Sequence, residues 1–244
     1  MNAKEKQKND KIEGLFKVGA HFGMIKSRRH PSTKGYIFGA KNKVEIFDLG
    51  KTVEALERAK EAVRSVAENN GAMLIVGGKN EAQRAVSNAG ESLQAPYVAG
   101  RWLGGTLTNF SEIRKRINKL EDLLSQKEKG ELAKYTKKER LLIDRDIVYL
   151  QKFFSSLITL KGLPKLMFVI DPKREHIAVA EALNLNIPIV ALASSDCNVR
   201  EIDYPIPAND SSAASIAYFV NEIAQAYQKG KQDAPSTTEK TKVD

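Results

Sequence analysis

The sequence predicts an α/β fold, with a parallel sheet flanked by helices and a helical hairpin inserted into it. Two continuous apolar runs of strand length, MLIVGG at 73–78 and LMFVID at 166–171, are typical of buried parallel strands. Helical patterns lie between such runs, because parallel strands are joined only by long crossovers. A heptad pattern interrupts this alternation in the middle of the chain. The predicted architecture is therefore a Rossmann- or flavodoxin-like sheet that bears an inserted, protruding antiparallel coiled-coil hairpin.

The chain of 244 residues divides into four predicted parts by composition and pattern. Residues 1–11 are polar and are expected to form a flexible, basic N-terminus. A single globular α/β domain is assigned to residues 12–108 and 159–228, and the helical hairpin to residues 109–158. Residues 229–244 form a low-complexity tail that is expected to be disordered.

The first half of the globular domain is expected to contain two short strands and then a helix. Residues 35–49 read as strands on either side of a Lys-Asn-Lys turn, with Phe38 and Phe47 directed inward. Thr52 is the predicted N-cap of the helix that follows.

The rest of the globular domain alternates between strands and helices. Pro205 and Pro207 argue against a central strand after the last apolar run. Proline has no N–H group to donate, so a strand that contains it cannot complete its hydrogen bonds to a neighbour on each side. The predicted elements are strands near 73–78, 96–100, 166–171 and 187–194, and helices near 80–89, 175–185 and 211–228.

The inserted segment carries two apolar seams with heptad spacing, which predicts two antiparallel helices joined by a short turn. Thr136 and Glu139 form a predicted capping box at the start of the second helix. Because both ends of the pair start near the sheet, the pair is expected to project outward. The seams consist of Ile113, Ile117, Leu120 and Leu124 in the first helix, and of Leu142, Ile143, Ile147, Leu150, Phe153, Phe154 and Leu157 in the second.

Composition excludes several classes of protein. Hydrophobic residues make up 42% of the chain and charged residues 28%, which allows a sizeable core and excludes global disorder. No apolar run approaches the ~18 residues that span a bilayer, and the first residues lack the apolar core of a signal peptide. The single cysteine, Cys197, suits a reducing compartment. We therefore expect a cytoplasmic protein without a membrane partner.

The net charge of +9 is unevenly distributed along the chain. Residues 1–52 contain 12 Lys and Arg against 5 Asp and Glu, and residues 101–165 contain 15 against 8, so each segment carries +7. Residues 53–100 carry −1, from 5 against 6, and residues 166–244 carry −4, from 7 against 11. A charge run is usually a solvated surface, but two basic segments on an acidic frame favour a face that binds a polyanion.

No catalytic or metal-binding constellation emerges from the sequence. The cysteine and the three histidines lack the spacing of metal ligands, and nothing supports a nucleophile pair among them. Gly77 and Gly78 precede a helix, where an anion can bind, but the glycine spacing of a dinucleotide site is incomplete. An alternative function, that of a small-molecule enzyme or sugar-phosphate-binding domain, would use these glycines with Lys79, opposite Asp171 and Ser194.

The two basic segments contain the candidate nucleic-acid-binding residues. Lysine and arginine neutralise phosphates, and accessible rings stack on splayed bases. In the second segment, glycines allow the backbone to approach a phosphate chain, although a bend with a packed tryptophan would use the same residues. The candidates are Lys26, Arg28, Arg29, His30, Lys34, Tyr36, Lys41 and Lys43 in the first segment, and Arg101, Trp102, Gly104, Gly105, Thr106, Arg114, Lys115 and Arg116 in the second.

Five stretches of the chain together resemble the bacterial ribosomal protein S2 family of the small subunit. They occur in the order and with the spacing of that family, and they cover nearly everything from about Ile12 to Gln228. Two departures are Met24, where many members have histidine, and Gly50, where glutamine is usual. The stretches are AHFGM with RRHPSTKGYIFGAKNKVEIFDLGKT, RWLGGTLTNF, LPKLMFVIDPKREHIAVAEA, NIPIVAL and EIDYPIPAND.

The resemblance implies a structural constituent of the small ribosomal subunit, without catalysis or a cofactor. It implies binding of small-subunit ribosomal RNA at the head–body junction, contacts with neighbouring ribosomal proteins, and help in retaining ribosomal protein S1. The implied location is the cytoplasm, with an organellar ribosome as an open alternative. A docking adaptor that uses Glu201 and Asp203 in the acidic C-terminal part is a further hypothesis, which is compatible with the first.

Overall fold

A computed structural model of the chain describes residues 3–234, and the side chains of residues 8–234. Within this range the chain forms seven α-helices and eight strands, together with short 3-10 turns. The helices are α1 (Ala3–Lys17), α2 (Leu49–Glu68), α3 (Asn80–Leu93), α4 (Phe110–Glu128), α5 (Lys137–Phe154), α6 (His176–Asn184) and α7 (Ala213–Asp233). The strands are β1 (Phe22–Ile25), β2 (Ile37–Lys41), β3 (Val44–Phe47), β4 (Met73–Val76), β5 (Tyr97–Val98), β6 (Leu166–Ile170), β7 (Ile189–Ala193) and β8 (Tyr204–Pro207).

Five strands form one parallel sheet in the order β5-β4-β6-β7-β8. Counted within this sheet the order is 2-1-3-4-5, which is the flavodoxin-like arrangement, so the predicted α/β class is confirmed. Strand β8 was not predicted, because Pro205 and Pro207 argued against it. Both prolines lie at the edge of the sheet, opposite Ala191 and Ala193 of β7, where one side of a strand needs no donors.

The sheet is covered on both faces, which is why its strands are apolar at every position. Met73 and Ile75 face one core, which they share with α2, α3 and α7. Leu74 and Val76 face a second core, which they share with α6 and with parts of α4 and α5. A completely buried side chain such as Phe168 stabilises the fold by roughly 2–3 kcal/mol relative to its exposure.

A second, antiparallel sheet of three strands has the order β1-β3-β2. The two predicted strands are β2 and β3, whereas β1 was not predicted. Phe47 is buried as expected, but the prediction for Phe38 was wrong, since its side chain is 81% exposed. Burial alternates along β2, since Ile37 and Gly39 are partly buried while Phe38 and Ala40 are exposed, so Phe38 lies on the face of the strand opposite to the predicted one.

The N-cap of α2 lies four residues earlier than predicted. Asp48, not Thr52, is the N-cap, and its carboxylate accepts hydrogen bonds from the N–H groups of Gly50, at 2.9 Å, and Lys51, at 3.4 Å. Thr52 is buried inside the first turn, where its hydroxyl donates to the carbonyl oxygen of Pro207 at 2.7 Å. Thr52 therefore ties α2 to the edge strand β8.

The N-terminal segment is helical in its described part. Helix α1 includes residues 3–11 and continues to Lys17, while the flexibility expected for residues 1–11 stays a prediction. Two ion pairs, Lys8–Glu54 at 2.9 Å and Lys11–Glu57 at 2.8 Å, join α1 to α2. At the other end, α7 continues to Asp233, beyond the predicted boundary at 228, and the predicted disorder of 235–244 concerns residues outside the described part.

The inserted segment forms α4 and α5, which contact each other. The Thr136–Glu139 capping box is confirmed at the start of α5. Lys127 on α4 pairs with Asp144 on α5 at 2.7 Å. Leu142 was wrongly assigned to the buried seam, since it is 54% exposed, and the protruding coiled-coil geometry stays a prediction.

Among residues 3–234, no helix has both the length and the apolar character that a membrane crossing requires.

Candidate nucleic-acid interface

The basic loop between β1 and β2 is fastened to the loop that follows β7. The N–H of His30 and the hydroxyl of Thr33 both donate to the carbonyl oxygen of Ser195, each at 2.9 Å. The N–H of Val199 in turn donates to the hydroxyl of Ser32 at 3.1 Å. Thr33 and Ser195 are fully buried, so the large sheet holds the basic loop in one position.

The β2–β3 turn lies beside the basic loop between β1 and β2. Asn42 and Lys43 have φ values of 52° and 67°, and two consecutive positive values are typical of a tight type I′ hairpin turn. The carbonyl oxygen of Lys43 accepts a hydrogen bond from the N–H of Lys26 at 2.9 Å, which places the turn beside the loop. Five predicted cations of this region are exposed and make no ion pair with any side chain of residues 8–234: Lys26, Arg28, Lys34, Lys41 and Lys43.

Arg29 has an internal role that the sequence did not reveal. Its guanidinium donates to Glu45 at 3.1 Å, and the Glu45 side chain is only 1% exposed. The other carboxylate oxygen of Glu45 has no hydrogen-bond partner among the described residues. Arg29 therefore neutralises a buried carboxylate, and we leave it out of the candidate RNA surface.

The predicted rings are less accessible than the neighbouring cations. The Nδ1 atom of His30 lies 2.8 Å from the hydroxyl of Ser32, and Tyr36 packs against the small cluster that contains Cys197. Phe38, by contrast, has a ring that is 81% exposed, and the ring of Phe22 in β1 is 48% exposed; an exposed ring can stack on a base. The sequence prediction placed Phe38 on the wrong face of β2, because alternation alone does not show which of the two faces of a strand is buried.

In the second basic segment, one carboxylate organises the RWLGGTLT loop. Glu181 of α6 accepts hydrogen bonds from the indole N–H of Trp102 at 3.0 Å and from the N–H of Gly105 at 2.8 Å. Its second oxygen accepts from the N–H groups of Leu107, at 2.9 Å, and Thr108, at 3.1 Å. Burial alone would raise the pKa of Glu181, but these donors outweigh it and hold the pKa below its usual value.

This arrangement divides the predicted residues of the loop into two groups. Trp102 and Thr106 are buried, and the Thr106 hydroxyl donates to the carbonyl oxygen of Leu103 at 2.6 Å. The N–H of Gly105 is used by Glu181, and its φ of 89° explains the glycine. Arg101 and Gly104 are exposed, so they are the predicted residues of this loop that a ligand can reach.

The three predicted cations of α4 have different surroundings. Arg114 pairs with Glu121 at 3.2 Å and donates to the carbonyl oxygen of Ile158 at 3.3 Å, so it joins α4 to the end of the insertion. Lys115 is exposed and lies 2.6 Å from Glu112. Arg116 is exposed and makes no ion pair with any described side chain, which makes it the most available of the three.

The crevice at the carboxyl ends of β4 and β6 is where doubly wound sheets bind small ligands. In this protein, side chains of the chain itself occupy the crevice. The Lys79 ammonium lies 3.1 Å from Asp171 and 3.3 Å from Asp210. The N–H of Gly78, which would face an anion, donates to Glu175 at 3.2 Å. Burial, reinforced by the charge of Asp171, raises the pKa of Asp210 to about 6. Because three carboxylates line this crevice, it disfavours a phosphate.

One group of side chains in residues 8–234 has the arrangement of metal ligands. The ligand atoms of Asp171, Cys197 and Asp210 lie within 4.8 Å of one another. Burial raises the pKa of the Cys197 thiol well above its usual range, which keeps it protonated. Lys79 already contacts both carboxylates, so these residues could hold a metal ion only if its ammonium moved away.

A comparison with protein families decides the identity of the chain. The family model for Ribosomal protein S2 matches residues 15–230, which is most of the 244 residues. The chain belongs to the ribosomal protein S2 family. Membership in this family implies a role in the small ribosomal subunit, in association with its RNA and its proteins. The family consists of structural ribosomal proteins and not of enzymes.

Proposed function

We propose that this S2 family member binds small-subunit ribosomal RNA at the head–body junction and thereby supports translation without catalysis. The observation that carries the proposal is the group of exposed, unpaired cations that the basic loop and the β2–β3 turn present together. Cations held in fixed positions neutralise phosphates without first losing conformational entropy. Folded RNA is recognised mainly by shape and backbone, so the spacing of such cations provides the specificity.

The second basic segment contributes a separate contact in this proposal. Arg101, the backbone at Gly104, and Arg116 are the exposed candidates there, with Lys115 on the same helix. The hydrogen bonds of Glu181 to Trp102 and Gly105 fix the conformation of the loop, so the backbone that carries Arg101 and Gly104 has one defined position. Two contacts on one rigid body would select an RNA whose phosphates match both.

The electrostatic part is tested by reversing three cations in the full chain. The triple variant K26E/K41E/K43E should bind small-subunit ribosomal RNA more weakly, and its log–log salt dependence should be flatter by about 0.7–0.9 for each lost phosphate contact. The matched control is R84E/K165E/K229E, which changes the net charge equally at exposed positions outside the two contacts. Filter binding or fluorescence anisotropy between 50 and 300 mM salt measures both quantities. Equal weakening by the two triple variants would refute a localised surface.

The proposed place in the cell is a cytoplasmic ribosome, since the single, buried cysteine suits a reducing compartment. Contacts with neighbouring ribosomal proteins and retention of ribosomal protein S1 are proposed from family membership. Sedimentation of cell extract tests the placement, because the chain should travel with the small subunit and leave it in high salt.

The two acidic residues of the adaptor hypothesis make hydrogen bonds within the protein. Asp203 accepts from the N–H of Ile189 at 2.9 Å, and Glu201 accepts from the side-chain amide of Asn198.

A further inference from the structure

A cavity of about 610 Å³ lies where the edge strand β5 meets the end of the inserted helical segment. One part of its lining comes from Gln83 of α3 and from the chain between Tyr97 and Arg101, and the other part from the end of α5 and the turn that follows it. The volume lies within the range of roughly 300–1,000 Å³ that is typical of small-molecule and cofactor sites. The cavity is separate from the crevice that Lys79 occupies with its carboxylate partners.

The lining of this cavity is positively charged. Its charged side chains are Arg101 and Lys152, and no aspartate or glutamate lines it among the described residues. Both cations are exposed, and neither makes an ion pair with any side chain of residues 8–234. A guanidinium can bind two phosphate oxygens at once, and an ammonium adds a single point charge. The charge therefore favours an anionic occupant.

Hydroxyl and aromatic groups complete the lining. The hydroxyls of Ser155 and Ser156 make no hydrogen bond to any group of residues 8–234, so they are free to donate to a phosphate oxygen. The rings of Tyr97 and Phe153 are partly exposed, and a base can stack on an accessible ring. The Lys152 ammonium lies 5.4 to 5.6 Å away from none but its neighbour Phe153, at 5.6 Å from the ring centroid, so a phosphate and the base next to it can be bound at the same time.

We propose that this cavity binds one unstacked nucleotide of a single-stranded RNA segment. Arg101, Lys152 and the two serine hydroxyls bind its phosphate, and the base stacks on Phe153 or Tyr97. Stacking of this kind tolerates every base, so the cavity selects an unpaired position in the RNA and not a sequence. The proposal rests on the RNA-binding function proposed above and deepens it, because Arg101 belongs to the second basic segment. A free mononucleotide has the same chemistry and is therefore one of the probes.

One test fills the cavity without changing any charge. Gly100 lines the cavity, and a Cβ atom added there meets no other heavy atom within 4 Å, so a side chain can enter without a clash. Gly100→Leu should therefore occupy space that the nucleotide needs. Gly162→Leu is the matched control, because Gly162 has equally open surroundings and does not line the cavity.

Two further variants of the full chain separate stacking from charge. Phe153→Leu removes a ring but keeps an apolar side chain at a partly buried position, and Tyr135→Leu, at the far end of α5, is its control. Lys152→Gln removes a cation, and Lys138→Gln, about 21 Å away along the same helix, is its control. Thermal unfolding first establishes that all variants are as stable as the parent chain.

Fluorescence anisotropy with a labelled oligouridylate measures the affinity, and uridine monophosphate is the competitor. We expect Gly100→Leu and Phe153→Leu to weaken binding about fivefold or more without changing its salt dependence, because stacking does not release counterions. Lys152→Gln should weaken binding and flatten the log–log salt dependence by about 0.7. The three controls should stay within about twofold of the parent chain.

The variant K26E/K41E/K43E separates this proposal from the RNA-binding function on which it rests. Its loss of affinity for ribosomal RNA tests the first basic segment, whereas the oligouridylate should still bind to its cavity. No binding of the oligouridylate to this variant, or equal effects of a cavity variant and its control, would refute the cavity as the site. Competition by uridine monophosphate at the same concentration as by unlabelled oligouridylate would also overturn the proposal, in favour of a free nucleotide.

Discussion

At the scale of single residues, the basic surface depends on one arginine whose guanidinium contacts a buried carboxylate. Arg29 is the partner of Glu45, whose side chain is buried, so the loss of Arg29 would leave a buried carboxyl group without its partner. Truncating one partner of a buried pair typically costs about 3–5 kcal/mol, and the partial exposure of Arg29 points to the lower end. The neighbouring exposed cations do not pair with a buried carboxylate, although nothing in the sequence distinguishes them from Arg29.

Arg29→Ala is therefore expected to lower the free energy of unfolding by about 3 kcal/mol, measured by urea denaturation. Arg28→Ala, the matched control one residue away, should change it by about 0.5 kcal/mol or less. The double variant R29A/E45Q should recover part of the loss, because the glutamine carries no charge. If R29A and R28A were equally stable, the Glu45 carboxylate would not need its partner.

At the scale of elements, the RWLGGTLT loop keeps its shape through a carboxylate that lies on another helix. The pKa of Glu181 is lowered in the folded chain, so its stabilising effect is present above its unfolded pKa near 4.5 and is lost as the pH falls through the folded value. Glu175, which is also buried, has a raised pKa for the opposite reason, since burial outweighs its single backbone donor. Its contribution to stability therefore decreases as the pH rises from 4.5 to its folded pKa.

Glu181→Gln should destabilise the protein at pH 7 by about 2–3 kcal/mol, because an amide group would face N–H donors that need an acceptor. The loss should be smaller at pH 3, and Trp102 fluorescence should report the opening of the loop. The matched control, Glu175→Gln, should be nearly neutral at pH 7. An unchanged tryptophan spectrum in Glu181→Gln would show that the loop holds itself together without the carboxylate.

Elements that are buried on both faces were predictable from the sequence, whereas those that depend on distant partners were not. Strands β4, β6 and β7 are continuous apolar runs because both of their faces are covered. Strand β8 was not predicted, because its prolines are acceptable only in an edge strand. Which strand lies at the edge depends on the order of all the strands in the sheet, and the local sequence does not show that order. Glu181 acts on a loop 73 to 79 residues away in sequence, so no local pattern could indicate its role.

The candidate surface was predictable as a charge pattern but not as a set of contacts. Lys26, Arg28 and Arg29 are adjacent in a basic run, and only the fold shows that Arg29 turns inward. Phe38 was assigned to the core because alternation does not show which face of a strand is covered, and the covered face of β2 is the one that carries Ile37 and Gly39. Composition therefore located the two basic segments, while the selection of exposed residues within them required the packing of the chain.

At the scale of the whole molecule, the net charge of +9 has opposite consequences for stability and for binding. Like charges that share a surface repel one another, and at about 10 Å in water each pair costs roughly 0.4 kcal/mol. Salt screens this repulsion, since the Debye length falls from about 10 Å at 0.1 M to about 3 Å at 1 M. The same salt weakens contacts with phosphate, because the counterions released on binding gain less entropy when the bulk salt concentration is high.

The melting temperature of the free chain should therefore rise between 0.05 and 0.5 M sodium chloride, by an amount equivalent to about 1 kcal/mol, while its affinity for RNA falls steeply. Differential scanning fluorimetry and binding in the same buffers measure the two trends. K26E/K41E/K43E should lose most of the salt-induced stabilisation together with the salt dependence of binding, because both arise from the same cations. R84E/K165E/K229E should keep both. A free chain that salt destabilises would show that its surface ion pairs outweigh the repulsion, and the cations would then not form one crowded surface.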